Sequence, residues 1–311
     1  MERFVHHYHT TPVLVTGSDA LAFSICSCLL QAGHNVTLFT KDTGKAAAVI
    51  HAATSIADDR LELTRTLSYL PDHRLAIAVS SEDVEEKQHL IRLLEYNITE
   101  DAVIAINTES IPLSTLQQGA RQPARIIGAN WSLPADTTFF LELIVNHHNS
   151  DGIASGMYDL AREYWKKDPY LICGDTGIRA RLLAALAREA CYLVENGYAT
   201  VEDIDRACRN DAGYYLPFAG NFRYMDLMGV YAYGMVMKDL NGELSNQKRL
   251  PSFFRQILKD GGRGMSNGSG FYKYEAGEAE AWRQLFTDFS RRIHYLMEKY
   301  PFSIVSEAAL K

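Results

Sequence analysis

Two rhythms of apolar and polar positions run along this chain. In the first half, short β-rich apolar runs alternate with stretches of helical periodicity. Pro12–Thr16 is such a run; Gly17-Ser18-Asp19 breaks it, and a period near 3.6 then carries through Ala20–Ala32 until Gly33 stops it. Asn35–Phe39 resumes the β-type pattern, so strand, turn, helix and strand follow at the spacing of a βαβ unit with a right-handed crossover. Further strands are expected at Leu75–Val79 and Ala102–Ile106, with a helix over Glu82–Tyr96 between them. Apolar runs recur at Ala124–Ile127 and Phe139–Val145, and Gly152–Lys166 reads as helix. Alternation of this kind implies a Rossmann-type doubly wound, mostly parallel α/β sheet covered on both faces. Past Gly174-Asp175-Thr176-Gly177 only helical texture remains, over Arg179–Asn196, Val201–Arg209, Tyr224–Leu240, Pro251–Leu258 and Glu278–Tyr300. We therefore place the domain boundary near Thr176, with an α/β domain over 11–176 and an all-helical domain over 177–311.

Composition narrows the class. The chain has 311 residues, 47% hydrophobic and 22% charged, which is enough for two domains with cores of their own. A net charge of −7 argues against nucleic acid or an anionic membrane as partner. No apolar run has the length of a transmembrane helix, and MERFVHHYHTTP lacks the apolar stretch of a secretion leader, so a cytoplasmic protein is expected. Five scattered cysteines, Cys26, Cys28, Cys173, Cys191 and Cys208, read as reduced core residues. The first ten residues, with His6, His7 and His9, read as a mobile terminus rather than a metal site. His147 and His148, adjacent at a strand end, are expected to face opposite ways, and no metal site is expected anywhere. The tyrosines Tyr214, Tyr215, Tyr224, Tyr231 and Tyr233 read as helical core or subunit interface.

Several segments, in order and over nearly the whole chain, resemble the 3-hydroxyacyl-CoA dehydrogenase family. VLVTGSDALAFSICSCLLQAGHNVTLF sits where that family has its dinucleotide fingerprint, and Glu82 with Lys87 resembles its Glu-then-Lys pair. INTESIPLSTL, containing Asn107, resembles the family's NTS segment, and GANWSLP its GxHFFNP segment. GIRARLLAALAREACYLVENGYATVEDID resembles the linker and dimerising helix; AGNFRYMDLMG and GGRGMSNGSGFYKY resemble the closing motifs. The resemblance implies NAD- or NADP-linked hydride transfer at the C3 oxygen of an acyl-CoA, and a homodimer formed through the helical domain.

Residue by residue, the resemblance meets departures. The glycines of G-x-G-x-x-G fall at Gly17, Asp19 and Ala22. Asp19 stands at the N-cap of the first helix, where its carboxylate would take the N–H groups that hold a phosphate. A diphosphate at about 5 Å would meet roughly 3 kcal/mol of repulsion per charge pair at an effective dielectric near 20, on the order of a hundredfold in affinity. The second strand ends in Thr40 and Lys41 where an acidic ribose-binding residue is usual, a pair that would favour the 2′-phosphate of NADP or form an ordinary polar strand end. Glu82 and Lys87 match positions near the nicotinamide half, or form the solvated first turn of a helix.

At the chemical end the resemblance places the catalytic glutamate at Glu142, twelve residues after Asn130. Asn130 takes the position of the histidine base, and an amide cannot carry that proton. The substrate-holding serine falls at Glu109, the linker asparagine at Ala180, and the asparagine of HFFNP at Leu133. Glu109 either pairs with Glu142 as a substitute base or caps a loop.

Three readings stay open. One is a 3-hydroxyacyl-CoA dehydrogenase-like oxidoreductase with weak or altered activity, using NAD or NADP on a small acyl-CoA. The second is a non-catalytic family member, a dimeric scaffold or an acyl-CoA- or nucleotide-binding protein. The third is a sibling dehydrogenase for free hydroxy acids, with Arg179 or Arg181 facing the carboxylate.

Overall fold

The computed structural model describes residues 8–54 and 58–301. Two compact units divide the chain, Met1–Arg181 and Leu182–Lys311.

In the first unit the strands are β1 (Val13–Thr16), β2 (Val36–Phe39), β3 (Leu61–Thr64), β4 (Leu75–Ala78), β5 (Val103–Ile106), β6 (Ile126–Trp131), β7 (Phe140–Val145) and β8 (Asp168–Cys173). They form one sheet in the order β3-β2-β1-β4-β5-β6-β7-β8, parallel except where β7 runs against β6. The helices of this unit are α1 (Ala20–Gln31), α2 (Thr43–Ala53), α3 (Val84–Asn97), the short α4 (Leu113–Gln117) and α5 (Ile153–Glu163). The order of β1 and its neighbours reverses between β1 and β4, and such switch points open a crevice at the carboxyl ends of the strands.

Period-two alternation sends β1 side chains to both faces: Val13 and Val15 join one apolar cluster with Phe23, Ile25 and Leu29 of α1, while Leu14 joins another with Ile91 and Leu94 of α3. Both faces are covered, so the central strands are buried at every position. β3, α2 and β8 lie in segments that the apolar pattern did not mark as elements; β3 is a four-residue strand only partly buried, at the sheet edge.

The N-terminal stretch is part of the packing where it is described. Tyr8 is buried, and His9 stacks on Tyr164 with ring centroids 3.7 Å apart, which corrects the expectation of a mobile terminus; His6 and His7 lie outside the described residues. His34 is buried beside His9, and burial pushes its imidazole down to about 4, so the neutral ring receives the indole N–H of Trp165 at 2.9 Å. Trp165 and Trp131, both 2% exposed, lie 5.5 Å apart, with Lys167 over the Trp131 ring. Only Cys26 and Cys28 are core cysteines: Cys191 and Cys208 are half-buried and Cys173 is exposed. His147 and His148 sit in the turn after β7, not on the strand, and their rings approach to 3.9 Å instead of diverging. No cluster of three or more metal-ligating side chains exists among the described residues.

Helix α6 (Ile178–Glu195) begins in the first unit and continues into the second. The second unit then holds α7 (Val201–Ala207), α8 (Gly213–Met228), α9 (Val230–Leu240), α10 (Ser252–Lys259) and α11 (Glu278–Lys299). Gly229, at φ 107, separates α8 from α9 within what reads in sequence as one helix. This unit buries little. Leu186, Phe222, Leu227, Tyr231, Leu285 and Phe289 are each 49% exposed or more. Tyr215 and Tyr224 stack at 3.9 Å, but Tyr214 and Tyr231 are 80% and 82% exposed, so the tyrosines are not a core of this chain. Among the described residues no helix is long and apolar enough to cross a membrane.

Candidate active site

The chemical end is built on β6 and β7, whose antiparallel register sets Asn130 directly opposite Glu142. Facing residues on one side of such a pair have Cβ atoms within about 5.5 Å. The Asn130 amide N–H donates to Glu142 Oε2 at 2.8 Å, and both side chains are buried. Asn130 Oδ1 accepts the backbone N–H groups of Thr108 and Glu109 at 2.8 and 3.0 Å, and its second amide hydrogen faces Thr108 Oγ1 at 3.1 Å. Every polar position of the amide is therefore engaged in holding the loop after β5.

Glu142 collects four donors. Oε1 receives the backbone N–H groups of Ile178 and Arg179 at 2.7 and 3.2 Å and the Tyr170 hydroxyl at 3.1 Å, and Oε2 receives Asn130. Ile178 and Arg179 open α6, so the carboxylate sits on that helix's N-terminus, where free N–H groups and the dipole favour an anion. Gly177 makes the approach possible, because a Cβ there would overlap the Glu142 carboxylate. Burial and the neighbouring Glu142 carboxylate push the Tyr170 phenol up.

Glu109 and Glu142 do not form a carboxylate pair: their oxygens have different partners. Glu109 instead receives Arg179 Nη1 at 3.0 Å on both carboxylate oxygens, each side chain about a quarter exposed. Ala180 lies in the first turn of α6, half-buried and without a polar group to offer. Leu133 is 40% exposed.

At the other end, Gly17 has φ 145, and a Cβ there would stand 2.6 Å from that of Ala22, so the glycine and the small residue together bring α1 close to the sheet. Asp19 is the N-cap of α1, extended, its Oδ1 accepting from Ala22 N at 2.9 Å. Ser18 Oγ receives the Thr40 hydroxyl at 3.0 Å and the Lys41 backbone N–H at 2.9 Å. Thr40 is 2% exposed with its hydroxyl turned inward, so of the Thr40–Lys41 pair only Lys41 presents a side chain to solvent.

Lys87 is not on a solvated turn: it is fully buried, its Nζ donating to Asn107 O at 2.7 Å and Asn107 Oδ1 at 2.9 Å. Asn107 Oδ1 also receives Ser80 N, and Glu82 lies 3.6 Å from Nζ while accepting from Ser110. Burial pushes the ammonium below the usual lysine range, and Glu82 opposes that shift. Lys87 thus ties the ends of β4 and β5 together beneath the crevice.

Comparison with known proteins fixes the family. Residues 12–176 match the NAD binding domain of 3-hydroxyacyl-CoA dehydrogenase, and residues 178–274 its C-terminal domain. The chain belongs to the 3-hydroxyacyl-CoA dehydrogenase family. Among its relatives is the fatty acid oxidation complex subunit alpha of Shewanella sp. (strain MR-7), 26% identical over 77% of this chain, of which the match spans 34%. The chain thus spans about a third of the length of those subunits. A second is 5-formyl-3-hydroxy-2-methylpyridine 4-carboxylate 5-dehydrogenase of Mesorhizobium japonicum, 27% identical over 67% of each chain. Among solved structures, the crystal structure of a 5-dehydrogenase of that name, described as an NAD+-dependent dismutase, superposes with a TM-score of 0.83 at 22% identity, over 94% of this chain and 98% of the other. (S)-3-Hydroxybutyryl-CoA dehydrogenase from Ralstonia eutropha gives 0.66 at 22% identity, over 86% and 99%. At such identities the structures speak for the 3-hydroxyacyl-CoA dehydrogenase fold alone.

Within that fold, the turn at Gly17 keeps the backbone approach of a dinucleotide site and carries a carboxylate, Asp19, at the head of α1. The close approach of α1 is preserved, and one N–H of its first turn, that of Ala22, already faces the Asp19 carboxylate. Tyr170, Thr108 and Gly177 were not singled out from sequence. Tyr170 would have followed from the apolar run PYLIC had it been read as a strand, and Gly177 from its place immediately before a helix that receives a buried carboxylate.

Proposed function

We propose that this chain is a 3-hydroxyacyl-CoA dehydrogenase-like oxidoreductase in which turnover at the C3 oxygen of an acyl-CoA is weak or altered. The observation that carries this reading is the Asn130–Glu142 pair: it occupies facing positions of β6 and β7 where the family resemblance puts a histidine and its glutamate, yet its amide cannot take up a proton at neutral pH. A bound NAD or NADP would supply the hydride. The chain's own residues orient: Glu142 holds the start of α6 and Asn130 holds the loop of Thr108 and Glu109, and among the described residues every group hydrogen-bonded to Glu142, Tyr170 included, is a donor and none accepts the hydroxyl proton. Loss of a general base is worth about 10²–10⁴ in rate.

The test is cofactor oxidation with acetoacetyl-CoA and either NADH or NADPH, in the native chain, in Asn130→His, and in Asn130→His with Asp19→Gly. Slow native turnover that rises at least tenfold with Asn130→His, and tighter cofactor binding with Asp19→Gly, are expected. A flat trace in all three proteins sinks the reading.

One observation favours a second reading, a non-catalytic dimeric scaffold or acyl-CoA- or nucleotide-binding protein. The helical unit exposes large apolar side chains along α8, α9 and α11, more than a soluble monomer usually leaves in water. A homodimer through this unit would cover them, and sedimentation equilibrium should return twice the chain mass of 34.9 kDa. Calorimetric binding of a nucleotide or acyl-CoA with no turnover in any variant would select this reading.

A further inference from the structure

The Glu109–Arg179 ion pair is not needed by the β6–β7 cluster or by the cofactor turn. Among the described residues, Glu109 is one of two non-glycine residues at positive φ, 47, in the left-handed region that an L side chain rarely adopts. Such outliers persist where the surroundings impose them and gather at functional sites. Its side chain meets Arg179 in an unusual way. A guanidinium normally grips a carboxylate with two parallel N–H groups from different nitrogens. Here Nη1 alone serves both Glu109 oxygens at 3.0 Å and also faces the Trp131 carbonyl at 3.4 Å. Nε and Nη2 have no hydrogen-bond partner among the described residues. The Phe140 ring lies 5.5 Å from the guanidinium carbon and gives the cation an aromatic side.

Both partners are anchored through their backbones to the chemical centre. The N–H of Arg179 donates to Glu142, and that of Glu109 to Asn130. An anion on this guanidinium is therefore seated beside Asn130 and Glu142, and both side chains of the pair remain about a quarter exposed to an arriving solute.

We propose that Arg179 anchors a free carboxylate on the substrate, and that Glu109 holds that place until the substrate displaces it. The ligand class is a small oxo or hydroxy acid carrying its own carboxylate, in place of a thioester. The inference rests on the reading of this pocket as the reaction site and specifies how its activity is altered, with a free acid taking the place of the acyl-CoA. Exchange of one carboxylate for another leaves the half-buried guanidinium compensated throughout, whereas a neutral thioester carbonyl arriving in place of Glu109 would leave it unpaired. A ligand able to reach Nε and Nη2 would gain the two-nitrogen grip that Glu109 lacks, and its binding would release a strained residue.

Isothermal titration calorimetry with acetoacetate, 3-hydroxybutyrate and benzoate tests this, with acetoacetyl-pantetheine as the uncharged comparison. Glu109→Gln is expected to tighten the carboxylates by roughly tenfold or more, having removed the internal competitor. Arg179→Met should abolish that binding, and Arg179→Lys, which keeps the charge and the fold-bearing backbone contact, should retain part of it. The thioester should respond to none of these changes. Equal carboxylate affinity in native, Glu109→Gln and Arg179→Met proteins overturns the proposal, as does undetectable carboxylate binding in Glu109→Gln with a native thermal melt. Because the readout is binding, carboxylate capture that depends on Arg179 in a protein without turnover would uphold this inference while the oxidoreductase reading fails.

Discussion

Among the helices of this molecule that begin on a side-chain carboxylate, α1 on Asp19 and α6 on Glu142 differ in almost every other respect. Asp19 caps α1 from the adjacent residue, is exposed to solvent, and receives one N–H at 2.9 Å. Glu142 reaches α6 across 36 residues of chain, is wholly buried, and receives four donors. The electrostatics of the two helix ends are the same. What differs is what the anion joins. Asp19 finishes a helix that the core already holds through Phe23, Ile25 and Leu29, so its charge acts chiefly on what can approach the turn. Glu142 fastens the sheet to the first turn of α6, and its charge is consumed in doing so.

The comparison is broken or sharpened by substitution. The largest effect is expected from Glu142→Ala, which strands one buried and three partly buried donors: about 3–5 kcal/mol in urea unfolding. Gly177→Ala should approach that loss without touching the carboxylate chemically, since its methyl needs the space of the carboxyl group. Asn130→Ala comes next, at about 2–4 kcal/mol, because the N–H groups of Thr108 and Glu109 and one Glu142 oxygen lose their partner together. The smallest change in stability belongs to Asp19→Asn, within about 1 kcal/mol, since asparagine caps as well as aspartate. That same substitution should tighten NADH binding by roughly tenfold or more, measured by fluorescence titration, as the repulsion at the turn is removed. If Asp19→Asn destabilised the protein as much as Glu142→Ala, the distinction between the two carboxylates would collapse.

Much of this arrangement could be read in advance, for reasons that differ by residue. The βαβ opening was legible because β1 is an apolar, wholly buried run and α1 is long enough to show its period, and Asp19 as a cap because capping is local. β3 and β8 escaped notice because four to six partly exposed residues show little alternation. Asn130 and Glu142 were legible as a pair through their spacing and their order in the chain. Their partners were not: Tyr170 and the N–H groups of Ile178 and Arg179 come from segments 28 to 37 residues away, and only the closure of β8 against β7 brings them in. For Lys87 a solvated turn stood beside a place near the nicotinamide half because its neighbours Glu85 and Glu86 are polar, yet the end of β5 supplies the acceptors that let its ammonium be buried. The exposure of Tyr214 and Tyr231 was equally invisible, since helical spacing says that a face is apolar and not what covers it.

The placement of the three tryptophans gives this molecule an optical label for each unit. Trp131 and Trp165 lie buried together in the sheet unit, and Trp282 on α11 is 52% exposed. Emission from the first pair should be blue-shifted and shielded from iodide, and that from Trp282 red-shifted and readily quenched. Quenching during denaturation would then report which unit opens first. The carbonyl of Trp131 also touches Arg179, so the shielded component of the signal stands next to the guanidinium and would register a ligand's arrival there.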